Sequence, residues 1–116
     1  DGSIFETAVL DELLRWLSWQ IHPPNLHFYR THGGREVDFV FHTPQGLLAI
    51  EAKASTKAHL QDARPLTDLL SKSSLPNLGP EARRLGLVVT QGREIEPLAP
   101  HVWSIPFWRF FGPEIA

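Results

Sequence analysis

The sequence predicts one α/β domain built on a mixed central sheet flanked by helices, and three observations carry that prediction. A helical stripe opens the chain, where Val9, Leu10, Leu13, Leu14 and Leu17 recur at three- and four-residue steps within residues 4–20. Three strand-like segments follow closely, at residues 26–31, 35–42 and 47–54, with turn residues between them. A helix opened by Pro65 then leads to Leu-Gly-Leu-Val-Val-Thr at residues 85–90, a continuous apolar run of the kind buried on both faces of a parallel sheet.

Composition supports one domain. At 116 residues the chain can bury a single core but not two. Hydrophobic residues make up 42% and charged residues 21%, as in soluble globular proteins. The formal net charge of −2 supplies no bulk basic field, so any nucleic-acid contact must come from a local patch. No apolar run is long enough to span a membrane and no signal-peptide pattern opens the chain. The absence of cysteine excludes disulfides and thiolate metal sites. The chain lacks methionine and begins at Asp1-Gly2-Ser3, so it is expected to be an excised domain of something longer.

In the first helix, steps of about 100° per residue put Glu6 in the middle of the apolar stripe, between Leu13 and Leu17. Asp11, Glu12, Arg15 and Ser18 fall on the opposite side. An acid in that position has two readings. Ser3-x-x-Glu6 fits a capping box, with Glu6 reaching back to a backbone N–H. Alternatively, Glu6 points at a site shared with acids on the strands. His22-Pro23-Pro24-Asn25 ends the helix, and His32-Gly33-Gly34 is a tight turn into the second strand.

The second and third strands carry the chemistry. Thr43-Pro44-Gln45-Gly46 reads as a turn, with Pro preset for its second position. If those four residues form the loop, His42 pairs with Leu47, Asp38 with Glu51 and Glu36 with Lys53. Side chains alternate along a strand, so Glu51 and Lys53 share a face and Ala52 takes the other. Opposed side chains on one face approach to about 4.5–5.5 Å between Cβ atoms. Two carboxylates that close can share a hard cation through oxygen ligands. With a lysine beside them, phosphodiester cleavage becomes chemically possible. A three-residue loop would shift the register by one and split the acids between faces.

Beyond the third strand, residues 55–64 are polar. Leu66, Leu69 and Leu70 give the second helix its buried side, and residues 75–80 are a Pro/Gly loop. A helical link from the third to the fourth strand implies a right-handed parallel crossover. Residues 91–100 read as loop, 101–105 as a last short strand and 107–111 as a short aromatic element. The order is αβββαββ, without internal repeats.

An acid on the second strand and Glu51-x-Lys53 on the third, behind a helix bearing Glu6, resembles the PD-(D/E)xK nuclease superfamily. More narrowly, the chain is similar to the C-terminal domain of unknown function attached to prokaryotic AAA-type ATPases. The matching phrases are Ile4-Phe5-Glu6 with Leu13-Leu14-Arg15, Phe28-Tyr29-Arg30-Thr31 and Gly34-Arg35-Glu36-Val37-Asp38-Phe39-Val40. They continue with Ile50-Glu51-Ala52-Lys53-Ala54-Ser55 and Val102-Trp103-Ser104-Ile105-Pro106. Val37 stands where the superfamily's pattern has proline. The resemblance implies a restriction-endonuclease-like αβββαβ core, in a domain of a longer ATPase chain. It implies that Asp38 and Glu51 bind Mg²⁺ or Mn²⁺, with Glu6 as an outer or additional ligand. Lys53 would orient the attacking water or stabilise charge on the phosphate. Glu36 could pair with Lys53 or ligate. DNA or RNA is the implied substrate, and a cytoplasmic location the corresponding expectation.

A second reading keeps the fold and drops the catalysis, leaving a docking or partner-binding domain of the ATPase. Glu-x-Lys on a strand also arises as a solvated face with a cross-strand ion pair. However, the apolar neighbours Val37, Phe39, Val40, Ala49, Ile50 and Ala52 make these strands central. The six histidines show no metal-ligand spacing and read as surface or loop residues. Gly33-Gly34-Arg35 lacks the Gly-Lys-Ser/Thr ending of a phosphate loop. Arg30, Arg35, Lys53, Lys57 and Arg64 could rim the site as a basic patch or be dispersed solvated charge. Trp103, Phe107, Trp108, Phe110 and Phe111 close the core, or dock the ATPase domain or a second copy of the chain.

Overall fold

A computed structural model describes residues 2–19, 25–30, 37–43, 46–71 and 83–111. Helix α1 (Gly2–Ser18) leads into three antiparallel strands, β1 (Asn25–Arg30), β2 (Val37–Thr43) and β3 (Gly46–Ala52). A 3₁₀ turn (Leu60–Ala63) and helix α2 (Arg64–Ser71) lie between β3 and β4 (Arg83–Thr90), which pair in parallel. The chain continues through β5 (Glu96–Ala99) and β6 (Val102–Pro106) into the short helix α3 (Phe107–Phe111). The described strands form one mixed sheet in the order β1-β2-β3-β4-β6-β5. The expected α/β class and mixed sheet are therefore present, as is the parallel pairing across the helical link.

The sheet has two apolar faces because its central strands alternate between two helical partners. Val40, Leu47, Ala49, Val88 and Val102 pack with Leu66, Leu69 and Leu70 of α2 on one face. Phe39, Phe41, Ile50, Ala52 and Val89 pack with Phe5, Val9 and Leu13 of α1 on the other. Gly86 lets α2 come close, since a Cβ there would lie 3.1–3.3 Å from Val102, Leu70 and Leu66. Phe107 meets Phe5 edge-on with ring centroids 5.7 Å apart, so α3 closes the end of the α1 layer.

Three sequence expectations need correction. Residues 91–100 are not all loop, because β5 pairs with β6 at the sheet edge. Its turn rests on His101, at φ 66°, whose carbonyl accepts the Gly86 N–H at 2.7 Å. The stripe on α1 is partly shifted: Val9 and Leu13 are buried and Leu10 packs beside them as expected, but Phe5 joins them and Leu14 is 47% exposed. Glu6 thus lies on the flank of the stripe, half-buried, rather than at its centre. Ser3 falls inside α1 rather than ahead of it, so the capping-box position is not kept. Residues 22–24, 31–36, 44–45 and 75–80, which carry the expected helix stop, the tight turn, Glu36 and the middle of the β2–β3 turn, lie outside the described residues.

Leu66 is fully buried between α2 and the sheet. Leu66→Ala is expected to lower unfolding free energy by about 2–5 kcal/mol. Chemical denaturation measures this, and a loss under about 1 kcal/mol would mean that α2 does not hold this face.

Candidate functional site

The ladder between β2 and β3 runs to Thr43 and Gly46, which pairs His42 with Leu47 and Asp38 with Glu51. This is the register expected from the turn. The same row continues across the sheet from Tyr29 on β1 through Asp38, Glu51, Val88 and Ser104 to Glu96 on β5. Alternation assigns Glu51, Val88 and Ser104 of this row to the α2 face, together with Val40, Ala49 and Val102. Glu51 and Ser104, on either side of Val88, place buried polar groups on what is otherwise the apolar face of the sheet.

Glu51 is 1% exposed, and both its carboxylate oxygens are buried. Burying an ionised carboxylate is costly unless a cation, a proton or hydrogen-bond donors compensate. Its placement follows from sequence, since Ile50 and Ala52 must face α1 and Glu51 is then turned inward.

Lys53 comes one residue after β3, and its N–H still bonds the Val89 carbonyl at 2.8 Å, so the strand direction continues. Its Nζ lies 3.3 Å from Oδ1 of Asp62. The other oxygen, Oδ2, accepts the His59 N–H at 2.7 Å and caps the 3₁₀ turn. Buried Asp62 therefore joins the strand end to the start of the α2 unit. Sequence reasoning missed it. The signal was His59-x-x-Asp62, an acid at capping distance, obscured because histidine is not a usual first partner of such a cap. Glu36, the expected partner of Lys53, lies outside the described residues.

The structure thus brings Asp38 and Glu51 together by register and sets Lys53 on the same face of the sheet. Glu6 belongs to the helix that covers the opposite face. Carboxylates are hard oxygen donors of the kind suited to Mg²⁺ or Mn²⁺. Among the described residues no group of three His, Cys, Asp or Glu side chains is placed to hold a metal. His59 and His101 are exposed, whereas His42 is half-buried on β2 rather than in a loop.

No described helix is long and apolar enough to cross a membrane. No match was found for the chain among curated proteins or solved structures. One family model, described as Domain of unknown function (DUF4143), matches residues 1–110. That span covers the whole sheet and both of its helical layers, and the chain belongs to this family.

Proposed function

We propose that this domain is a divalent-metal-dependent nuclease, or nuclease-like nucleic-acid-processing module, of the PD-(D/E)xK kind, attached to an AAA-type ATPase. The observation that carries the reading is the buried carboxylate of Glu51, in register with Asp38 at the centre of the sheet. An apolar residue would pack there without the cost of burying a charge. Asp38 and Glu51 would hold Mg²⁺ or Mn²⁺ without Glu6, whose helix covers the opposite face of the sheet. When bound, the metal makes its water more acidic and neutralises charge developing on the phosphate. Lys53 adds a compact cation beside the growing negative charge. The element order α1-β1-β2-β3-α2-β4 agrees with a restriction-endonuclease-like core.

One feature favours the non-catalytic docking reading. Lys53 is engaged by Asp62, so the lysine also serves to anchor the 3₁₀ turn. Trp103, 42% exposed, and the exposed Trp108 leave aromatic surface that the ATPase or a second copy could cover.

Titration with Mn²⁺, followed by calorimetry or electron paramagnetic resonance, tests the metal site. Wild type is expected to bind, and Asp38→Ala to lose binding while keeping its fold and at least its stability. Loss of the fold in that variant would make Asp38 structural, and no binding in wild type would move the search to protein partners. Lys53→Ala is expected to keep Mn²⁺ binding and to reduce cleavage of single- and double-stranded DNA and RNA about 10²–10³-fold. Cleavage at the wild-type rate would remove Lys53 from its role. Asp62→Ala is expected to cost about 0.5–2 kcal/mol in thermal or chemical unfolding through loss of the cap. An unchanged unfolding midpoint would show that the His59 N–H finds another acceptor.

A further inference from the structure

A cavity of about 400 Å³ opens beside the carboxylate row, where the segments following β3 and β4 diverge. In open α/β sheets, ligands settle outside the carboxyl ends of the strands. The volume lies within the range of small-ligand sites. Its two walls are tied together. The Gln91 N–H bonds the Ser55 carbonyl at 2.9 Å, and the Ser55 hydroxyl bonds the Lys57 carbonyl at 2.7 Å. Gly92 approaches the Thr56 carbonyl so closely that a Cβ would collide with it. The Trp108 indole N–H reaches the Gly92 carbonyl at 3.3 Å from α3. The cavity is therefore preformed by backbone contacts.

Its chemistry is divided. Lys57 and Arg93 line it as exposed cations, with the exposed carboxylate of Glu94 next to Arg93, and neither cation takes part in an ion pair among the described residues. At the inner side stands Ser104, 4% exposed. Glu96, in register with Ser104, and Gln91 add acceptors and a donor next to it. One part of the lining suits an anion, and the other suits a flat group with amino and carbonyl edges. Ser104 lies two strands from Glu51 in the same row, roughly 10 Å away at the usual strand spacing.

We infer that this cavity is a nucleotide subsite, binding one nucleotide of a nucleic-acid strand with its phosphate on Lys57 and Arg93 and its base edge on Ser104, Glu96 and Gln91. The inference rests on the proposed nuclease reading for its substrate class, but needs no metal for binding.

The test therefore uses a chelator and no divalent cation. The four 5′-mononucleotides and inorganic phosphate are titrated into the domain and followed by backbone amide shifts. A labelled single-stranded oligodeoxynucleotide is followed by anisotropy at several salt concentrations. Mononucleotides should shift Gln91, Gly92, Arg93 and Ser104 at concentrations at least tenfold below those at which phosphate does. Lys57→Ala/Arg93→Ala, at two exposed positions, should weaken oligonucleotide binding tenfold or more. It should also lower the slope of log affinity against log salt by about 1.4. Glu96→Gln, which keeps both cations, should change the preference among the mononucleotides. Equal binding of phosphate and mononucleotides, shifts confined to other residues, unchanged oligonucleotide binding in the double variant, or an unchanged preference in Glu96→Gln would each overturn the assignment. A Mn²⁺ titration of the same double variant separates the two ideas. Metal binding at the wild-type level alongside lost oligonucleotide binding supports the subsite. Loss of both would overturn it as a separate site.

Discussion

A strand presents its side chains to alternate faces, so slipping β2 by one residue against β3 would reverse every contact it makes. Phe39 and Phe41, now against Phe5, Val9 and Leu13, would turn toward α2, and Val40 would lose its place there. The pairing of Thr43 with Gly46 prevents this slip. β3 in turn sets β4 through parallel pairing from Gly46 to Ala52, and β4 sets β6. The position of the Asp38–Glu51 pair is thus a consequence of the same alternation that builds the two cores. Any change that moves the acids out of register must also unpack both helices.

The register was legible because it needed only local facts, namely a turn with Pro44 and Gly46 and a strict period of two. The parallel partner of β3 was legible for a similar reason, since a continuous apolar run has little place except in a sheet covered on both faces. β5 was not legible. It is short and half-exposed, contains Pro97, and turns on His101 rather than on the usual Gly or Asn. An edge strand of that kind gets its structure from its partner β6, not from its own pattern. The true stripe of α1 was missed because Phe5, with Val9 and Leu13, rather than Leu14 sets which side packs. Moving the stripe moves Glu6 to its flank, and this removes the anomaly that made Glu6 conspicuous.

Asp62 was invisible for a different reason. Its role depends on the 3₁₀ turn folding back beside the end of β3, a tertiary fact that a sequence window of a few residues does not contain. One carboxylate there caps a turn and meets Lys53. Partly buried ion pairs gain from weak screening, but each member also loses water. Asp62 recovers part of that loss by accepting a backbone N–H, a charge-assisted bond of the stronger kind.

Lys53 is consequently held from two sides. Its backbone extends the β3–β4 ladder, and its ammonium is drawn to the turn that begins the α2 unit. A lysine side chain loses considerable rotamer entropy when immobilised, and an anchored one has already lost it before any phosphate arrives. The Asp62 contact can therefore be structural and still favour a cationic role at the carboxylate row, because preorganisation is what makes a fixed charge effective in a partly dry site. Whether the anchor leaves the ammonium free enough to meet a phosphate depends on exposure. Lys53 is one-third exposed, so its ammonium can meet a phosphate while keeping its contact with the buried Asp62 carboxylate. The same contact that supports a docking reading is then also compatible with a poised catalytic lysine. The two readings part on whether Asp38 and Glu51 take up a cation, not on the presence of the ion pair.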